Sequence, residues 1–184
     1  EFSLFDEQFL NDVANMKEKN LAIEMLKKLL AQHIKKHQKK NLTQAELFSE
    51  MLDKRLAEYL RGMISNEEVI KELLEMAKLM KQHAEEGNAL GLSDEEQAFY
   101  DALTRPRAVK DFYENNQLVA MAREITDALR KNRTLDWRQK ETARAKMRTM
   151  IKRLLKKYHY PPEEAQNAIE VVMRQCELWA DNEE

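Results

Sequence analysis

Apolar residues recur along this chain at spacings of three and four. Phe9, Val13 and Met16, then Leu26, Leu29, Leu30 and Ile34, follow that rhythm between Asp6 and Lys40. A helix turns once in about 3.6 residues, so such positions gather on one face, and the span predicts one long helix or two. Thr43 with Glu46, Ser65 with Glu68, and Ser93 with Glu96 match the capping box, in which a hydroxyl and a carboxylate three residues apart satisfy free N–H groups at a helix start. The helices they open are expected to reach about Leu60, about Glu86 before Gly87, and Leu103 before Pro106. Pro106 suits the first turn of a short helix. Leu118, Met121, Ala122, Ile125 and Leu129 then form a stripe ending near Asn132. Thr134 is placed to cap a helix from about Leu135 to Tyr158, with Ala143, Met147, Met150, Ile151, Leu154 and Leu155 on one face. A last helix from about Pro161 to Ala180 would bury Ala165, Ala168, Ile169, Val172, Met173 and Cys176.

The predicted fold is all-α, a multi-helix bundle of about eight helices without a sheet. Composition agrees: three glycines and three prolines in 184 residues are too few for the tight turns that sheets need. Two of those glycines fall in the stretch Glu85 to Gly91, which divides the chain into an expected N-terminal helical subdomain, 1–88, and a C-terminal one, 89–184.

Charge and cysteine content narrow the functional classes. Lys and Arg number 31 against 33 Asp and Glu, a formal charge of -2, so any surface for nucleic acid has to be local. The single cysteine cannot form an internal disulfide, and no apolar run approaches the roughly 20 residues of a membrane span. A reducing, cytoplasmic setting without a membrane partner is expected. The chain begins at Glu1 without Met or a signal-peptide pattern, and reads as a piece of a longer protein.

Chemical motifs are sparse. An ATP-driven motor would need a glycine-rich loop ending in Lys-Ser or Lys-Thr, and none occurs. A nuclease of the carboxylate-and-lysine type would need a strand to carry its Mg²⁺ ligands, and none is predicted. His33 and His37 share a helix face at the spacing of zinc helices, but no Glu lies between them and no third ligand is evident, so a solvated or DNA-facing pair is expected. Cys176, on an apolar stripe, reads as a small buried hydrophobe rather than a reactive thiol. No catalytic, cofactor-binding or metal-binding residue is assigned.

Two basic patches remain. Lys140, Arg144, Arg148, Lys152 and Lys156 recur every four residues and would line one slowly winding stripe. That stripe could meet phosphates, the carboxylates of a partner, or the acidic last helix with Glu163, Glu164, Glu170 and Glu177. Lys35, Lys36, Lys39 and Lys40 form the second patch, a solvated helix end or a DNA contact. Trp137 and the corner Tyr158-His159-Tyr160-Pro161-Pro162 could stack on bases, but aromatics flanking a helix usually plug the ends of its core.

The segments 16–24 and 96–103, the Asp136-Trp137 pair and the run 154–162 ending in Tyr160-Pro161-Pro162 resemble, in that order, the C-terminal region of the restriction subunit of type I restriction-modification enzymes. The likeness covers nearly the whole chain. It implies a parent polypeptide with a nuclease and two ATP-using motor lobes, and therefore ATP and Mg²⁺ for the parent but no cofactor in this segment. It also implies a non-catalytic helical part that docks the motor subunit on the methyltransferase core, with the modification and specificity subunits as partners and double-stranded DNA within reach. His159 departs from the family pattern, where glycine is expected between the two tyrosines. An autonomous nucleic-acid-binding module is the alternative, and an independent helical enzyme the third reading.

Overall fold

The computed structural model describes residues 4–105, 109, 113–132 and 141–180. Among the described residues there are eight helices of eight or more residues and no strand: α1 (Glu7–Ala14), α2 (Lys19–His37), α3 (Leu42–Leu60), α4 (Asn66–Ala89), α5 (Asp94–Thr104), α6 (Asn115–Asn132), α7 (Glu141–Lys157) and α8 (Pro162–Ala180). The all-α expectation holds. The short helix expected at Pro106, the Thr134 cap and the helix start expected near Leu135 fall outside the described residues. Two compact units emerge from the contacts. One comprises Glu1–Gln38 with Ala45–Ala89, the other Lys39–Gln44 with Leu90–Glu184.

In the first unit the expected span 6–40 is two helices. Asp6 caps α1, its carboxylate accepting from the N–H groups of Gln8 and Phe9 at 2.9 and 3.3 Å. Phe9, Val13, Leu26 and Leu30 are buried as the spacing required, together with Ala22 and Ile23; they pack with Phe48 and Leu52 of α3 and with Val69, Leu73, Met76 and Met80 of α4. Ser65 starts α4, accepting from the Glu68 N–H at 3.2 Å. α4 does not stop at Glu86. Gly87 is buried inside the helix, which continues to Ala89. Of the two glycines in this stretch, the one that takes a left-handed conformation is Gly91, with φ 69°.

The second unit centres on α5, α6, α7 and α8. Ser93 and Glu96 form the full reciprocal capping box at the start of α5. Phe99, Leu103, Leu118, Met121, Ile125, Ile151, Leu155, Val172 and Met173 make its core. Met147, Ile151 and Leu155 are the buried positions of α7, with Ala143, Met150 and Leu154 packed at their edge, so the predicted stripe is the core face. Cys176 is buried, as its place on the apolar stripe required.

Thr43 does not cap α3. The helix begins two residues earlier than a Thr43 cap would place it, with Asn41 as its cap, whose side-chain oxygen accepts from the Gln44 N–H at 3.1 Å. Asparagine caps as well as a hydroxyl does, and here its amide nitrogen also donates to the buried Asp101 carboxylate at 2.7 Å. Gln175 of α8 joins the same network, accepting from the Leu42 N–H at 2.6 Å and donating to the Lys39 carbonyl at 2.8 Å. These groups compete for Asn41 more strongly than sequence spacing could reveal, and they leave the Thr43 hydroxyl buried without a hydrogen bond.

His159 stands where the resemblance leads one to expect glycine. Its φ is 57°. The Tyr160 N–H returns to the Leu155 carbonyl at 2.9 Å and the His159 N–H to the Lys156 carbonyl at 3.0 Å, the bond pair that closes a helix through one left-handed residue. A side chain in that conformation costs roughly 1 to 2 kcal/mol.

Two stability changes follow from this packing. Replacing Ile151 by Ala should destabilise the chain by about 2 to 5 kcal/mol, read as a shift in the urea midpoint. Replacing His159 by Gly should raise stability by about 1 kcal/mol in the same assay, because the left-handed strain is relieved, though glycine returns part of the gain as unfolded-state entropy.

Candidate functional site

The predicted basic stripe is not one surface. Lys140 lies outside the described residues. Because α7 turns its Met147–Ile151–Leu155 seam inward, Arg144 and Arg148 stand at the edge facing α8. Arg144 donates to Glu177 at 2.5 Å and Arg148 to Glu170 at 3.3 Å. Two of the five cations are thus paired with the acidic last helix, one of the outcomes that the sequence left open. Glu163 and Glu164 take no part in a described ion pair with α7. Lys152 and Lys156 are exposed and make no ion pair among the described residues.

Lys146 and Arg153 were not singled out by the four-residue repeat, yet they are exposed and without an ion pair among the described residues. A step of four residues turns a helix by about 400°, so a four-spaced row drifts by about 40° per step. Over α7 that drift carries the row from the flank of α8 to solvent. Numbering the angles from the apolar seam instead would have found Lys146 and Arg153.

At the C-terminal end of α7, Lys157 donates to Glu124 of α6 at 2.7 Å, and the Tyr158 hydroxyl donates to the same carboxylate. These two donors hold Glu124 below the usual carboxylate range. The bond to Glu124 in turn pushes Tyr158 up to about 12. The Tyr160 hydroxyl donates to the Leu103 carbonyl at 2.8 Å from a buried position, and Tyr113 donates to the Tyr158 carbonyl at 2.8 Å. Burial raises the Tyr160 hydroxyl well above its ordinary value. Tyr160 therefore plugs the core, and its ring is not offered to a base. Trp137 lies outside the described residues.

The Lys35–Lys40 patch divides likewise. Lys35 and Lys36 are exposed on the last turn of α2, where cations complement the helix dipole. In the other unit, Lys39 is exposed and Lys40 lies 3.2 Å from Asp94 in a solvent-exposed pair. His33 and His37 stack at 4.3 Å between ring centroids, and Phe5 meets His33 edge-on at 5.0 Å. No group of three His, Cys, Asp or Glu side chains among the described residues is arranged to hold a metal. His33 is half-buried rather than solvated, and burial, then His37 and Lys36, lower its pKa to about 4.

The two most exposed large apolar residues lie elsewhere, while Leu47 and Leu79 are exposed separately on α3 and α4. Leu60 is 82% and Met63 69% exposed, on either side of Gly62 in the turn between α3 and α4. Gly62 has φ 73°, and the Met63 N–H returns to the Glu58 carbonyl at 2.9 Å, so the turn is tightly closed. Tyr59 donates to Asn20 at 3.4 Å, which brings the start of α2, with exposed Leu21, to the same end of the unit.

A pH dependence follows from His33. The folded chain keeps it neutral down to about 4, while the unfolded chain takes up a proton near 6.5. The unfolded state thus binds more protons in that window, and stability should fall as pH drops from 6.5 towards 4. Urea midpoints measured across the window should show a shallower fall for His33→Gln; an unchanged slope would remove His33 as the cause.

Comparison with known proteins places this architecture. A family model described as type I restriction enzyme HindI endonuclease subunit-like, C-terminal, matches residues 1–182. The type I restriction enzyme HindI endonuclease subunit of Haemophilus influenzae is 36% identical over 182 residues, 99% of this chain and 17% of that protein. A putative type I restriction enzyme MjaIXP endonuclease subunit of Methanocaldococcus jannaschii is 31% identical over 158 residues, 85% of this chain and 15% of the relative. The chain therefore spans about a sixth of the length of these relatives. No solved structure matches it. The likeness first carried by the Asp-Trp and Tyr-Pro-Pro segments extends through all eight helices, and the chain belongs to the C-terminal family of type I restriction enzyme endonuclease subunits typified by HindI.

Proposed function

We propose that this chain is a non-catalytic helical module that docks the motor part of a type I restriction subunit onto the methyltransferase core and lays basic residues beside the DNA backbone. The parent polypeptide in this reading is an ATP- and Mg²⁺-dependent translocase and endonuclease. ATP binding and cleavage belong to other parts of it, since the motifs for both are absent from this sequence.

The observation that carries docking is the apolar turn of the first unit. Leu60 and Met63 are large, mostly exposed and held on a closed turn, with Leu21 at the same end. Scattered exposed apolar residues are ordinary, but a rigid cluster at one end of a bundle has the character of the anchors around which protein interfaces form. Burial of the two side chains by a partner would contribute about 1.5 to 3 kcal/mol each.

Replacing Leu60 and Met63 by Ser should leave the melting temperature of the chain unchanged and weaken assembly with the methyltransferase by roughly tenfold or more, measured by co-purification and titration. Normal assembly of that variant would remove the turn as the docking surface. Tight binding of the wild-type chain to free duplex, with none to the methyltransferase, would instead favour an autonomous nucleic-acid-binding module.

A further inference from the structure

We infer that the outward face of α7, formed by Lys146, Lys152, Arg153 and Lys156 around Thr149, is a sequence-independent binding surface for the phosphate backbone of double-stranded DNA. The inference deepens the backbone contact in the proposed function and does not depend on docking to the methyltransferase.

The seam determines the face. By helix geometry, Lys146, Arg153 and Lys156 each lie about 140 to 160° around the axis from buried Ile151, and Lys152 about 100°. All four are exposed, and none makes an ion pair among the described residues. Arg144 and Arg148, turned towards α8, already have Glu177 and Glu170. The only acid in α7, Glu141, stands at its first position, so nothing on the helix itself neutralises the outward cations. In a chain with a formal charge of -2, this is a local excess of positive charge.

The remaining side chains decide between polyanion and protein. Ala145 and Thr149 occupy the outward face between the cations, and the Thr149 hydroxyl folds back onto the Ala145 carbonyl at 2.9 Å. The face carries no aromatic or large aliphatic anchor. Protein interfaces are built around such anchors and are depleted in lysine, whereas contacts to phosphate consist mainly of Lys and Arg. Small residues between the cations let a backbone approach closely. From Lys146 to Lys156 the helix rises roughly 15 Å, a length over which one strand of a duplex presents about four phosphates. Four cations match that number.

The test is anisotropy of a labelled short duplex of arbitrary sequence, titrated with the 184-residue chain across a series of salt concentrations. The wild type should bind at low salt, with log K falling against log salt by about 0.9 for each phosphate engaged, approaching four such contacts. The fourfold variant Lys146→Gln, Lys152→Gln, Arg153→Gln, Lys156→Gln should lose most of that slope, and the double variant Lys146→Gln, Arg153→Gln about half. Arg144→Gln with Arg148→Gln should keep it. Thermal melting checks each variant, and the double variant decides the matter if the fourfold one is unfolded. The inference is overturned if the wild type ignores the duplex, if the outward variants bind like wild type, or if the Arg144 and Arg148 variant loses as much. A wild type that ignores DNA, combined with outward variants that fail to assemble with the methyltransferase, would assign the face to an acidic protein surface instead.

Discussion

The seam of Met147, Ile151 and Leu155 fixes the rotation of α7, and with it which cations of that helix meet an acid and which face solvent. Burying an aliphatic side chain of this size contributes about 1.5 to 3 kcal/mol, whereas an exposed ion pair contributes about 0 to 1 kcal/mol. The apolar seam therefore orients the helix between α6 and α8, and the charges take whatever positions are left. Arg144 and Arg148 come to rest beside Glu177 and Glu170, while Lys146, Lys152, Arg153 and Lys156 face solvent. An alternating rotation that exposed all five members of the four-residue row would have to lift part of the seam into water.

Polar groups do the corresponding work at the ends of the second unit. Asn41, Asp101 and Gln175 join the first turn of α3 to α5 and α8 through buried hydrogen bonds. The Tyr160 hydroxyl ties the turn after α7 to the end of α5. A buried donor or acceptor left unmade costs about 1 to 3 kcal/mol, so each bond selects one geometry for its loop. The corner at His159 is held firmly enough by these contacts and by its two backbone bonds to keep a histidine in a conformation that glycine would adopt without strain.

The two surfaces to which the proposals assign a role differ in kind. The turn with Leu60 and Met63 presents two large apolar side chains on a hydrogen-bonded turn, suited to burial against protein, and the outward face of α7 is cationic and without an apolar anchor, suited to phosphate. They lie in different units of the chain. Each can be altered without touching the core of the other, so assembly and DNA affinity are separable properties of this module in the proposed reading.

Much of the architecture was legible in the residues. The three-and-four spacing located the helical stretches, Ser65 and Ser93 marked two helix starts, and the faces of α6, α7 and α8 were read from Leu118, Ile151 and Val172 and their neighbours. These features are local: a helix period and a cap need only residues within about a turn of each other. The family, too, was carried by short segments in order. What the sequence could not supply depended on partners far along the chain. Thr43 lost its cap to Asn41 because Asp101 and Gln175, 60 and 133 residues away from their respective partners, meet that loop. The basic row of α7 was divided because Glu170 and Glu177 stand along one flank of the helix and solvent along the other. Sequence thus determined which residues are helical and which helices are charged, whereas only tertiary packing decided which charges are neutralised, because neutralisation requires two helices to meet at a rotation set by their buried seams.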